Sequence, residues 1–272
     1  MATLVYRAES VGPVCKRLCK TVDGLQFVRD NKPVPEGLVV RWGSVWPPDG
    51  QVRQSLNSAE SVAVAKDKIE TRKRLGVLAP PTWFRRQDIP DPEQMTVIVR
   101  PGKHHAGKRF YVCSSAASLD KAIRKCGASW YASLLIEKAH EYRVFVCQGR
   151  IVAVSERFPA EDAIGAGKIA WNLAMGGKLI NVRYNDWPLP VCKTAISACD
   201  KLGLDWGAID LTVDTGGDVW VFEANTAPGL RNPFTMKQIA KTFVWAGENK
   251  SPKPVKGETW QSLMHPALKS SR

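Results

Sequence analysis

The spacing of apolar positions changes several times along this chain, and each change marks an element. Residues 3–7, 25–29 and 38–42 are short apolar runs bounded by polar residues, and they read as strands. Between the first two, Val14, Leu18 and Val22 recur every four positions, which predicts a helix over 14–22. Together these elements make a small α/β unit. The stretch 58–75 has the spacing of one long helix, closed by Gly76 and followed by Pro80-Pro81. Residues 83–137 read as strands around a glycine-bearing hairpin loop, then a helix over 119–126 and a strand over 133–137. Two strands within 142–154 turn at Gln148-Gly149, residues 157–180 are rich in glycine and loop-formers, and 189–202 is a helix. A hairpin turning at Gly216-Gly217 and a last helix over 233–246 complete the pattern. Beyond Gly247 prolines and lysines dominate, so 248–272 reads as a flexible or loosely docked tail.

The hairpin from Asp210 to Gly229 carries the strongest chemical signal. Alternate positions of a strand share a face, so Glu223 and Asn225 point the same way. Asp210 sits near the matching end of the partner strand. Two carboxylates and an amide make an oxygen-rich site of the kind Mg²⁺ prefers when phosphate oxygens complete its shell. Upstream, the strand ending at Arg100 leads into a loop with Gly102 and Gly107, which can fold over phosphates while Arg100 grips one in a fork. Residues 134–146 are an apolar strand, a charged hinge and a second strand. A purine can lie at such a hinge, with Glu141 accepting from ribose hydroxyls. The loop 165–177, which holds Asn172, has the composition of a segment that folds over a substrate. A surface hairpin, a basic hairpin, a tight turn and a plain connector are the corresponding structural readings.

Composition narrows the partners. The 272 residues suffice for one large domain or two to three small ones. A net charge of +13 favours anionic partners: a nucleotide, an acidic peptide or nucleic acid. The dense basic run 66–74 reads as a solvated helix face, and no nucleic-acid motif accompanies it. No stretch approaches the roughly 18 apolar residues of a membrane span. The N-terminus reads as a first strand rather than a signal peptide. Seven scattered cysteines without a CxxC pair are expected to be buried free thiols in a reducing cytoplasm.

The order of these pieces, more than any one of them, resembles the ATP-grasp superfamily. It is similar in particular to the carboxylate–amine ligases that add glutamate to ribosomal protein tails, and to their phage-encoded relatives. The resemblance spans roughly 41–229. It rests on Arg41-Trp-Gly-Ser, Leu56-Asn57-Ser, Lys66-Asp-Lys68, Leu75-Gly76 with Pro81-Thr82, Asn172-Leu-Ala-Met-Gly-Gly, and Asp210 with Glu223-Ala-Asn225-Thr-Ala-Pro-Gly229.

The resemblance implies an α/β (α+β) fold with two subdomains clasping ATP. A short N-terminal unit (1–57) would precede the first subdomain with its phosphate loop (58–138), the second with its metal site (139–247), and a basic tail (248–272). It implies a ligase that forms an amide through an acyl phosphate and releases ADP and phosphate. The cofactors would be ATP and two Mg²⁺ ions, with Mn²⁺ as a substitute. Lys68 would bind phosphate, and Arg100 would stand where a second lysine is usual. Gly102 and Gly107 would shape the phosphate loop, Glu137 and Lys138 would line the adenine hinge, and Glu141 would take the ribose. Asn172 would sit near the γ-phosphate, Arg143 would help stabilise charge, and Asp210, Glu223 and Asn225 would hold the metal.

The chain departs from the pattern at Arg100, in a shorter hinge between Glu137 and Glu141, in a short N-terminal unit, and at Ala170, where a loop arginine is usual. Lys168 or Arg157 could take over that charge. The implied partners are a carboxylate and an amine substrate, each an amino acid, peptide or protein tail, with neither membrane nor nucleic acid. The implied setting is the cytoplasm, the host's if the gene is phage-borne, and homo-oligomers are expected of such ligases. A non-catalytic ATP-binding interaction protein is the alternative.

Overall fold

The computed structural model describes residues 1–7, 9, 12–102, 109–160, 171, 177–249, 251–252 and 259–271. The N-terminal unit comprises β1 (Ala2–Tyr6), α1 (Gly12–Cys19), β2 (Leu25–Arg29), β3 (Leu38–Trp42) and β4 (Gln54–Leu56). Its strands are parallel in the order β2-β1-β3-β4. Helix α1 buries Val14, Cys15 and Leu18 on the expected face. It stops at Cys19, and Val22 packs on the same core from the turn beyond. The unit is stitched to the rest of the molecule at Asn57, which has a left-handed φ of 69°. The Asn57 amide donates to the Trp206 carbonyl and accepts from the Trp206 N–H, both at 2.9 Å.

The helix expected over 58–75 is two helices, α2 (Ala59–Lys66) and α3 (Lys68–Leu75). Asp67 between them is extended, and its carboxylate accepts from the N–H groups of Ile69 and Glu70 at 3.0 Å. Aspartate bonds to nearby backbone more readily as a cap than inside a helix, so it divides the run. Lys68 thereby becomes the first residue of α3. Gly76, at φ 55°, closes this helix as expected.

The second sheet is antiparallel, in the order β5-β8-β6-β7, with β5 (Thr82–Trp83), β6 (Val97–Pro101), β7 (Tyr111–Cys113) and β8 (Trp130–Leu134). Helix α4 (Ala116–Cys126) begins earlier than expected because Ser115 and Ser118 form a capping box. It packs Leu119 and Ala122 on Val97, Val99 and Ala132. The opposite face carries Ile98, Arg100, Tyr131 and Ser133, where Ile98 pairs with Ser133 and Arg100 with Tyr131. Strand β8 lies about three residues earlier than the run 133–137 suggested.

The third sheet has the order β11-β10-β9-β12-β13. Its strands are β9 (Lys138–Cys147), β10 (Arg150–Phe158), β11 (Lys178–Asn181), β12 (Trp206–Asp214) and β13 (Val219–Asn225). Gln148 and Gly149, at φ 48° and 67°, form a two-residue hairpin turn of the kind that suits the right-handed twist of the flanking strands. Helices α5 (Leu189–Leu202) and α6 (Pro233–Glu248) cover opposite faces of this sheet. On the α5 face lie Val144, Val146, Val154, Ile209 and Leu211. On the other, Phe145, Cys147, Trp206 and Ala208 pack against α6 and the N-terminal sheet. Trp206 stacks on Trp42 at 5.6 Å and meets Phe243 edge-on at 4.8 Å.

Of the tail expected to be flexible or loosely docked, residues 259–269 are firmly docked. A helical turn, α7 (Trp260–Leu263), leads to Met264, which bridges to Ile151 of β10. Leu263, Met264, His265, Ala267 and Leu268 are all buried. Prolines and lysines set the average composition of this stretch, but its few apolar side chains decide where it goes. The cysteines are free, five of them buried. Among the described residues no helix is long and apolar enough to cross a membrane.

Candidate active site

Strand alternation builds the site. On β9, Glu141, Arg143, Phe145 and Cys147 share one face, so the face that is core at one end becomes ionic at the other. Arg143 pairs in register with Asp210 on β12, Asp210 with Glu223 on β13, and Glu141 with Arg157 on β10. A bulge between Asp210 and Leu211 lies beside this cluster, as bulges often do where a side chain must be re-aimed. The second sheet faces this end across a cleft with Ile98, Arg100, Tyr131 and Ser133. Leu134, Leu135, Ile136 and Lys138 form the hinge between the two sheets, and Lys68 and Arg72 of α3 close one side.

The charges are paired closely. Arg143 grips Asp210 with both Nε and Nη2, at 2.6 and 2.7 Å. Arg157 reaches Asp210 at 3.4 Å and also bonds Glu141. Glu141 takes a second bond from Lys138 Nζ at 2.7 Å, and Lys138 stands 4.4 Å from the centre of the Trp171 ring. Lys68 Nζ donates to Glu223 at 2.5 Å. Arg72 donates to the carbonyls of Val221 and Phe222 at 3.3 and 2.9 Å and lies 5.7 Å from the centre of the Tyr131 ring.

Burial alone would raise the Asp210 carboxyl, but Arg143 and Arg157 outweigh it and hold the group below the usual carboxylate range. Burial pulls Lys138 below the ordinary lysine value even beside Glu141. In and just beneath the cleft, six cations (Lys68, Arg72, Arg100, Lys138, Arg143 and Arg157) stand against three carboxylates (Glu141, Asp210 and Glu223). The three unbalanced positive charges in a partly desolvated cleft make a site for a polyanion.

Of the residues singled out from sequence, Lys68, Arg100, Lys138, Glu141, Asp210 and Glu223 line the cleft, and Arg143 lies beneath Asp210. Glu137 is exposed and outside the lining, and its carbonyl accepts from the Thr215 N–H. Gly102 also lies outside the lining. A Cβ there would come within 2.4 Å of Ser129 Oγ and 2.9 Å of Ile69, so the glycine allows β6 to approach α3. Gly107 and Asn172 fall outside the described residues. Arg72, Tyr131 and Trp171 were not anticipated. Arg72 was within reach of sequence reasoning, because it lies four residues after Lys68 on a helix and so shares its face.

Asp210, Glu223 and Asn225 are hard donors on adjacent strands, and Asn225 Nδ2 is buried with no hydrogen-bond partner among the described residues. No group of three or more His, Cys, Asp or Glu that could hold a metal occurs among those residues. The oxygen atoms of Asp210, Glu223 and Asn225 are of the kind a Mg²⁺ with phosphate and water as further ligands takes, and in this structure Arg143 and Lys68 hold Asp210 and Glu223.

No protein-family model matches this sequence, and no curated protein sequence matches it. Solved structures do. D-alanine–D-alanine ligase from Bacillus anthracis matches with a TM-score of 0.63 at 12% identity, over 90% of this chain and 96% of that one. The ATP-grasp ligase PsnB complexed with its minimal precursor gives 0.63 at 14% identity, over 91% and 99%. The macrocyclase MdnC from Microcystis aeruginosa, bound with precursor peptide MdnA, gives 0.57 at 14%, over 90% and 100%. Likeness at this level of identity is likeness of fold, and the fold is that of the ATP-grasp ligases.

Proposed function

We propose that the protein is an ATP-dependent carboxylate–amine ligase. The observation that carries this reading is the charge of the cleft: a three-charge cationic excess, flanked by an apolar hinge and by two carboxylates on paired strands. A purine fits against Leu134, Leu135 and Ile136. The triphosphate then runs toward Lys68, Arg72 and Arg100. Glu141 already holds Lys138 and Arg157, so a ribose hydroxyl would share an occupied carboxylate. Asp210, Glu223 and Asn225 would hold Mg²⁺, which neutralises charge on the transferring phosphoryl group when bound. We assign the clasping halves to 58–138 and 139–247, with 1–57 as a substrate-side unit.

In the reaction a carboxylate oxygen bonds to the γ-phosphorus as its bond to the bridging oxygen breaks, releasing ADP and leaving an acyl phosphate. A neutral amine then bonds to the acyl carbon, phosphate departs with the carbon–oxygen pair, and the nitrogen sheds a proton. Fixed cations that already face the cleft need no reorganisation as charge develops, which is the most effective form of electrostatic catalysis. Lys68 and Arg100 serve the phosphates, and Arg143 keeps Asp210 ionised and in place. Phe110, Tyr131 and Trp171 add aromatic surface to the cleft.

The test is release of ADP and phosphate from Mg²⁺-ATP with pools of amino acids and acidic peptides. Release that requires both a carboxylate and an amine is expected. Tight nucleotide binding with no release from any pool would overturn the ligase reading in favour of a binding-only protein.

A further inference from the structure

On β13, regular alternation would place Val221 and Glu223 on one face. They lie on opposite faces. Val219, Val221 and Ala224 pack on the α5 side with Ile209, Leu211 and Val213, while Glu223 lines the cleft. The bulge causes this break. Asp210 pairs with Glu223 and Leu211 with Val221, so Phe222 is one residue too many for β12. In a regular ladder Leu211 would face Phe222, and Val221 would leave the core for the cleft. The ladder cannot hold the bulge alone, because the extra residue has no partner on β12 and β13 pairs with β12 alone among the described residues.

Arg72 supplies what the ladder lacks. Its Nη1 donates to the Val221 carbonyl at 3.3 Å and its Nη2 to the Phe222 carbonyl at 2.9 Å, the two carbonyls at the bulge. The residue is buried, with the Tyr131 hydroxyl hydrogen-bonded to its guanidinium and the ring centre of Tyr131 5.7 Å away. Lys68 lies one turn earlier on the same face of α3 and meets the Glu223 carboxylate at 2.5 Å. Helix α3 therefore holds β13 twice, by the backbone just before Glu223 and by the Glu223 side chain.

We propose that Arg72 is a positioning residue that fixes the bulge at Phe222 and so aims the Glu223 carboxylate at the metal, without itself being a phosphate ligand. Its metal-side role rests on the ligase reading of Glu223. When phosphate draws Lys68 away, the backbone hold of Arg72 remains and Glu223 keeps its place. Two observations select positioning over phosphate binding. Both outer nitrogens of Arg72 already face backbone carbonyls, and Arg72 is buried where Lys68 and Arg100 are only partly so. A lysine in its place keeps the charge but cannot span two carbonyls, so charge and geometry can be separated.

The test measures two affinities of the full chain: Mn²⁺ in the presence of ADP, by electron paramagnetic resonance, and ADP in the presence of EDTA, by calorimetry. We expect Arg72→Lys to weaken Mn²⁺ binding about 10- to 100-fold, the usual loss when the group behind a metal ligand is changed, and to leave metal-free ADP affinity within about twofold. In Glu223→Gln, whose Mn²⁺ affinity is already reduced, Arg72→Lys should cost nothing more. A phosphate ligand would weaken ADP without metal and would add its loss to that of Glu223→Gln, and this result overturns the proposal. So does an equal loss in both affinities, the mark of a merely structural role, or a folded Arg72→Lys with both affinities of the parent. If Arg72→Lys melts below the assay temperature, Tyr131→Phe takes its place, removing one hydroxyl from the guanidinium. A smaller loss of Mn²⁺ affinity is expected there, and an unchanged one overturns the proposal. A parent that binds no Mn²⁺ beside ADP overturns the metal reading of Glu223 and this proposal together. Mn²⁺ binding that depends on Arg72, with no ADP release from any substrate pool, overturns the ligase reading alone.

Discussion

Two halves of one sheet face obey the same geometry and do opposite work. At one end Phe145, Trp206 and Ala208 meet α6 and the N-terminal unit in a dry aromatic core. Two residues along β9 and four along β12, Arg143 and Asp210 occupy equivalent positions on the same face. There the face opens to the cleft, and Glu141, Arg143, Arg157, Asp210 and Glu223 bring charge to it beside Ser155 and Thr212. The strand period fixes which residues share a face. Whether that face is core or site depends on what covers it: α6 covers the first half, and the second sheet stands off from the other.

The largest effects should separate the halves by stability. Trp206→Ala leaves a cavity between Trp42 and Phe243 and should cost about 3–5 kcal/mol in denaturant melts, with ATP affinity retained by the folded fraction. Arg143→Met should cost about as much, because Asp210 stays buried with only the longer contact to Arg157. The contrast sharpens in the double variant Arg143→Met with Asp210→Leu. An apolar pair should recover most of the lost stability and turn this half into more core, while ATP turnover stays absent.

Glu223→Gln should behave in the opposite way. Its carboxylate is 39% exposed and its ion pair with Lys68 adds little to stability, so the melting midpoint should hardly move. ADP release should fall by about two to three orders of magnitude, the usual loss for one preorganised charge. A folded variant with full turnover would remove Glu223 from the site.

Acid should reach the two halves in sequence. His265, buried within the docked tail against Trp245, is pushed down to about 3 by loss of solvent and by the nearby Arg150 charge. Folding therefore favours neutral histidine. That contribution is complete above the unfolded value near 6.5 and is lost as pH falls toward 3. A decline of about 3 kcal/mol by pH 4 is expected, and His265→Gln should flatten it. Asp210 lies below its ordinary value, so its contribution is present above about pH 4 and disappears only below that. Urea melts between pH 7 and 3 would show whether the tail fails before the ionic cluster. The smallest effect is expected from Arg100→Lys, which keeps the charge and loses the fork, lowering turnover by less than about tenfold.

Much of this was legible from apolar spacing. The strands β1, β2 and β3, helix α5 and the β12–β13 hairpin lie where the pattern put them, α5 because its buried residues Val191, Cys192, Ala195, Ala198, Cys199 and Leu202 recur at helical spacing. The division of 58–75 was hidden because Asp67 sits among charged residues that suit a helix surface, and only its bonds to Ile69 and Glu70 mark it as a cap. The tail was misread because composition was averaged over Trp260, Leu263, Met264 and Leu268. Within the cleft, the carboxylates were visible from strand parity. The cations that hold them were harder to see, since Arg143 and Arg157 become partners of Asp210 only after three strands have aligned.

Asn57 shows how little freedom a single junction can leave. It offers Trp206 a donor and an acceptor together, as a neighbouring strand would, while its own backbone is left-handed. Aspartate would bring two acceptors and no donor, glycine would accept the backbone and make neither bond, and a β-branched residue would resist the φ angle. In a library sampling all twenty residues at each position, this site should keep asparagine alone, while an exposed position such as Arg53 drifts freely.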